Sequence, residues 1–162
     1  MDGVDKILAQ WNRERPDLDV GPMGLIGRLR RISRYLTREM EKTFAAHGLN
    51  DASFDVLATL RRSGSPYGLS PGDLQATMMI TSGTMTNRID QLEKAGLVTR
   101  TVNPDDGRGF LVSLTKKGFA VIDAAVTDHV ATQKRLTASL SAKDKAALNR
   151  LLRNYLTTLS AP

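Results

Sequence analysis

Cysteine is absent from the 162 residues. That excludes a disulfide framework, a thiolate zinc site, a nucleophilic cysteine and a thiol redox sensor. Histidine is scarce, with only His47 and His129, too far apart in sequence to imply a metal site. His47 precedes Gly48 at an expected helix end, where a cation is simply favourable. Aromatic residues make up 5% of the chain, so the core has to rest on Leu, Ile, Val, Met and Ala, the composition of packed helices. No phosphate-binding glycine loop, hydrolase elbow or zincin motif occurs, so neither an enzyme nor a metal or organic cofactor is expected. No early apolar run has the length of a signal peptide and none approaches a membrane span. The expected location is the cytoplasm, with no membrane partner.

The length and the share of hydrophobic residues, 41%, suit one globular domain with a real core. Lys and Arg number 23 against 17 Asp and Glu, a formal charge of +6. A domain this basic is suited to polyanions, because each neutralised phosphate releases counterions. Charge alone does not decide the matter, since many basic proteins bind no nucleic acid.

Hydrophobic spacing then sets the order of elements. Val4, Ile7, Leu8 and Trp11 form one apolar stripe on a short helix, and Asn12 to Gly21 reads as a linker. A long helix over 22–46 carries Leu25, Leu29, Ile32, Leu36, Met40 and Phe44 on one face and arginines on the other, and Gly48 stops it. Asn50 or Asp51 caps a helix over 52–62. Ser70-Pro71-Gly72-Asp73 has the form of a capping box and opens a short helix to about Met79. Thr81 or Ser82 caps another helix running to Ala95, closed by Gly96. Strands are expected over 97–102 and 109–114, joined by the turn-forming run Asn103-Pro104-Asp105-Asp106-Gly107. Two helices follow, one over about 115–138 and one opening at the box Ser141-Ala142-Lys143-Asp144. A helix pair followed directly by a hairpin is a winged helix-turn-helix. Its second helix enters the DNA major groove, and its hairpin reaches an adjacent minor groove.

The helix over 82–95 can be oriented from its periodicity. Met85, Ile89 and Leu92 share one face, which must be the core. Gly83, Asn87, Asp90 and Lys94 lie opposite, with Thr84 and Thr86 on the flanks. Asn pairs bidentately with adenine, and Thr donates, accepts or touches a thymine methyl. The Ser82 hydroxyl and the free N–H groups beside it suit a phosphate. A merely solvated helix face would show the same residues; the charged hairpin that follows favours DNA. In that hairpin Arg108 is the candidate for minor-groove insertion, since a narrow groove concentrates negative potential. Asp106 cannot face phosphate usefully and is better suited to orienting a neighbouring Arg.

The run from Thr81 through Val98 resembles the recognition helix of the multiple antibiotic resistance regulator (MarR) family. Asp105-Asp106-Gly107-Arg108, followed by Val112-Ser113-Leu114-Thr115-Lys116-Lys117-Gly118, resembles that family's wing and the start of its next helix. The likeness extends loosely over residues 22–160. Gly107 departs from it, standing where the family often has another Arg. The resemblance implies a mainly α fold with a small β-hairpin, a winged helix-turn-helix whose N- and C-terminal helices form a dimerisation region. It implies a DNA-binding lobe at about 51–115 and dimerisation helices at about 22–47 and 116–160 within a domain over 22–162. Residues 1–21 form an extra helix and linker. It further implies a homodimer on a palindromic operator in double-stranded DNA, usually as a repressor. The helices at the two ends carry more Leu and Ile than one small lobe would bury, which fits a homodimer.

A narrower resemblance is to the urate-responsive branch of that family. Trp11, Asp55, Arg88 and Arg100 stand where those proteins hold their effector, and Glu14-Arg15-Pro16-Asp17-Leu18-Asp19 matches their N-terminal extension. A half-buried Arg88 and a half-buried Asp55 both demand partners. They pair with each other, or an anionic ligand inserts between them while Trp11 stacks on a planar ring. Urate, a related purine anion or a phenolic acid such as salicylate is the effector class this implies. The competing function is a winged helix used for protein contact without DNA.

Overall fold

In a computed structural model the described residues are 1–78, 85–103 and 109–160. The elements run α1 (Gly3–Glu14), α2 (Gly21–Ala46), α3 (Asp51–Arg62), β1 (Gly68–Leu69), α4 (Pro71–Thr77), α5 (Met85–Lys94), β2 (Val98–Val102), β3 (Phe110–Leu114), α6 (Lys116–Leu136) and α7 (Ala142–Leu159). The chain forms two compact units, Met1–Lys42 and Thr43–Pro162, and the division falls inside α2.

In the first unit Asp2 caps α1 in a reciprocal box with Asp5, and Arg28 of α2 reaches back to both carboxylates, 2.8 Å from Asp2 Oδ2. The early glycines of α2 have a packing reason. A Cβ at Gly24 would meet Leu8 at 3.0 Å, so α1 rests where α2 has no side chain. Only Val4 of the expected α1 stripe is fully buried, while Ile7 and Trp11 stay exposed. Leu25 and Ile32 of α2 are exposed too.

The second unit has its core among Phe44, Val56, Leu57, Leu60, Leu74, Ile89, Val98, Val112 and Ile122, all nearly inaccessible to solvent. Phe44 stacks on Phe54 with ring centroids 4.1 Å apart, and His129 of α6 lies tilted against both. The strands form an antiparallel sheet in the order β1-β3-β2. The expected hairpin is present with each strand beginning one residue later, and Val98 stands opposite Leu114 and Val102 opposite Phe110. Leu97 drops out of the strand because its N–H closes the preceding helix on Leu92 O, 2.9 Å away. β1 was not expected. It is two residues long and is held by β3, so it has no periodicity of its own to detect.

The caps sharpen the sequence reading. Asn50, not Asp51, caps α3 in a true reciprocal box with Ser53, both bonds 2.8 Å. Ser70 and Ser141 each accept the expected N–H, from Asp73 and Asp144. Their hydroxyls donate to the same aspartates' carboxylates, at 2.7 and 2.6 Å, in place of the returning bond to the cap N–H. Among the described residues no helix is long and apolar enough to cross a membrane, and no cluster of His, Asp or Glu could hold a metal ion.

Candidate nucleic-acid interface

The face expected to anchor α5 does so: Ile89 and Leu92 are buried, and Met85 is half-buried. Thr86, Asn87, Gln91 and Lys94 are exposed. This is the amide, hydroxyl and ammonium set that base edges and phosphates take. Gln91 was not singled out in the sequence, although it lies one turn beyond Asn87. Ser82, Gly83 and Thr84, and Arg108 at the wing tip, lie outside the described residues. Asn103 closes the described part of the hairpin, its N–H on Gly109 O at 3.0 Å.

Asp90 was placed on the open face beside Asn87, but it is half-buried and engaged. Arg100, in the middle of β2, donates to both Asp90 and Glu93, and its guanidinium lies 5.3 Å from the Phe110 ring centroid. Both terminal nitrogens of the Arg100 fork are therefore held by α5.

The C-terminal end of α5 is fastened to the start of α6. Gly96 takes a positive φ of 69°, which closes the helix. The freed carbonyls then find donors: Lys117 Nζ reaches Ala95 O at 2.9 Å, and Thr115 Oγ1 reaches Gly96 O at 2.7 Å. The Thr115 N–H bonds Leu97 O at 3.1 Å, while its hydroxyl oxygen caps α6 by accepting from Gly118 N at 3.0 Å. Gly118 lies so close that a Cβ there would stand 1.9 Å from Leu97 O. These contacts give a physical reason for the Thr115-to-Gly118 run that the sequence offered only as likeness.

Within the second unit, Asp55, Arg88 and Arg100 do not line one groove together. Arg88 lines a groove of about 370 Å³ between the N-terminal end of α3 and α5, with Leu49, Asn50, Ser53, Asn87 and Gln91 among its walls. Arg88 is half-buried and has no ion-pair partner among the described residues, so the Asp55–Arg88 pair is not formed. Asp55 is buried on α3, next to α5 in the packing, but does not line that groove. Arg100 is committed to Asp90 and Glu93. Trp11 belongs to the other unit and is 42% exposed.

A sequence profile described as MarR family matches residues 47–109. The HTH-type transcriptional regulator PecS of Dickeya dadantii is 42% identical over 149 residues, 92% of this chain and 90% of PecS. The chain belongs to the MarR family. A mutant MarR of Escherichia coli solved in complex with operator DNA superposes with a TM-score of 0.70 at 26% identity, covering 90% of this chain and 97% of that one. Bordetella bronchiseptica BpsR, solved in a study of the regulation of its DNA binding by 6-hydroxynicotinic acid, gives a TM-score of 0.70 at 26% identity, with 83% and 91% covered. This MarR-family chain is a DNA-binding transcriptional regulator and not an enzyme. In it α4 and α5 are the helix-turn-helix and β2–β3 is the wing.

Proposed function

We propose that this regulator binds a palindromic operator as a homodimer, represses from it, and is released by a small anionic aromatic or purine-like effector. In this reading the lobe over about 51–115 reads DNA, with α5 in the major groove and Arg108 in the minor groove. The helices over about 22–47 and 116–160 build the dimer.

The observation that carries the effector is Arg88: a half-buried guanidinium without a countercharge among the described residues, facing a groove large enough for a bicyclic ring. Asn50, Asn87 and Gln91 line the same groove and supply amide donors and acceptors for a planar ring's edge. BpsR, a structural neighbour, is regulated by an anionic aromatic acid, and the likeness of Trp11, Asp55, Arg88 and Arg100 to the urate-responsive branch favours urate. An anion on Arg88 bears directly on α5, because Arg88 is part of that helix. A coupling of about 1–3 kcal/mol is enough for a useful switch. Dimerisation is supported by α7, which has no buried residue yet presents Leu148, Leu151, Leu152, Tyr155, Leu156 and Leu159 along one stripe.

Trp11 is the only tryptophan, so any change in tryptophan fluorescence is assigned to that residue. Urate in the micromolar-to-millimolar range is expected to quench it and to release bound DNA. Release by salicylate with no effect of urate would replace the purine by a phenolic acid. DNA release by none of these anions would remove the ligand response. An affinity for DNA insensitive to salt and to sequence would replace operator binding by protein contact.

A further inference from the structure

We propose that Arg100 is a positioning residue for DNA recognition, fixing α5 against the wing sheet through Asp90 and Glu93. The proposal rests on the DNA-binding assignment and goes beyond it by naming what holds the two reading elements in register.

Three elements meet at this side chain. Its backbone is the centre of β2, paired with Val112 of β3, which is fully buried, so its Cα has no freedom to drift. Its guanidinium spreads over Phe110, at the wing end of β3. Its two terminal nitrogens diverge to Asp90 and Glu93, one helical step of three residues apart on the same edge of α5. Among the described residues neither carboxylate forms another ion pair. An arginine fork can hold both at once, whereas an ammonium is a single point charge.

The consequence follows from how a winged helix docks. Helix and hairpin must enter neighbouring grooves together. If the angle between them were loose, binding would have to order it, and that cost would fall on the sequence-specific complex. Non-specific binding, which needs only scattered phosphate contacts, would escape it. Asp90 and Glu93 also sharpen the distinction between positioning and simple electrostatics. Both belong to the helix that approaches DNA, so neutralising them should strengthen binding if charge alone mattered.

The probe is a duplex enriched from a random pool by the wild-type protein, with a shuffled duplex of equal composition as control. Fluorescence anisotropy at several salt concentrations gives affinity and salt slope. Arg100→Gln is expected to lose about tenfold on the selected duplex and little on the shuffled one, with the slope unchanged because no phosphate contact is removed. The Asp90→Asn/Glu93→Gln variant is expected to lose as much, despite its added positive charge, and the triple variant no more than either. Arg100→Lys should recover less than half of the lost discrimination.

Equal or tighter binding by the Asp90→Asn/Glu93→Gln variant overturns the proposal. So does a salt slope flattened by about one unit in Arg100→Gln, which would make Arg100 a phosphate contact. Full discrimination in Arg100→Gln with only the urate response lost would make it an effector ligand instead. If Arg100→Gln does not fold, the carboxamide variant alone decides. A wild-type protein that enriches no sequence removes specific recognition, and the proposal with it.

Discussion

Replacing Gly118 by alanine adds one methyl group at a place where another segment's backbone already lies. The new Cβ would stand 1.9 Å from Leu97 O, 2.8 Å from Leu97 C and 3.2 Å from Leu97 Cα. No flexible side-chain end is among these neighbours, so α6 and the β2 approach must separate by more than an ångström. Such overpacking costs roughly 1–3 kcal/mol. The separation also strains the bonds that cross the same gap, from Thr115 N to Leu97 O, Thr115 Oγ1 to Gly96 O and Lys117 Nζ to Ala95 O. Losing one or two of these adds about 1–2 kcal/mol. The better helix propensity of alanine returns about 1 kcal/mol. A net destabilisation of about 1–4 kcal/mol follows, or a melting temperature lowered by roughly 2–16 °C for a chain of this length. Thermal and denaturant unfolding followed by circular dichroism measure it directly. A variant as stable as the wild type, or more stable, would refute the reasoning, because propensity would then be the only effect left.

Asn87→Ala should cost about 1–3 kcal/mol of discrimination on the selected duplex while leaving the salt slope intact, and Arg108→Ala should flatten that slope by about one unit; quantitative binding titrations read both. Burial against the Phe44 and Phe54 rings holds the His129 imidazole below its ordinary value of 6.5, with Asp51 opposing in part. A folded value below the unfolded one means this contribution is fully present above about pH 6.5 and is lost as pH falls through the window beneath it. Denaturant midpoints should therefore drop between pH 7 and pH 5, and His129→Phe should remove part of that drop. The Leu152→Glu/Leu156→Glu variant should yield monomers by analytical ultracentrifugation, because each leucine forfeits about 1.5–3 kcal/mol of burial in a dimer; an unchanged dimer would clear α7 of that role.

The parts of the fold that were legible in the sequence are those whose signal is local and periodic. Met85, Ile89 and Leu92 repeat at helical spacing, so the anchored side of α5 could be read without coordinates. The hairpin was legible from alternation and from the dense turn chemistry at 103–107. The start of β2 moved by one residue because Leu97 is claimed by helix closure on Leu92 O. β1 was illegible because two residues carry no period. Asp90 was misplaced for a related reason. Its angular position on α5 is outward, but a partner ten residues further on turns the side chain back toward the sheet. Arg100 illustrates the limit of likeness. Its position in the resemblance suggested a ligand contact, and nothing in the sequence foretold that its fork is also held by two carboxylates of the same chain. Asn50 over Asp51 as the α3 cap depended on which side chain turned toward Ser53, which spacing alone leaves open.

Because the last carbonyls of the DNA-reading helix are bonded to the opening turn of α6, those two elements behave as the short and long arms of a lever. The long arm has 21 residues, about 31 Å at helical rise. A rotation of roughly 5° about the joint would carry its far end about 3 Å, and a displacement of that size imposed at the far end would swing the short arm by the same angle. In the proposed homodimer, small changes where the long arms meet a second copy would thus arrive at the operator as a change in half-site separation, with no need for any rearrangement inside the reading lobe itself.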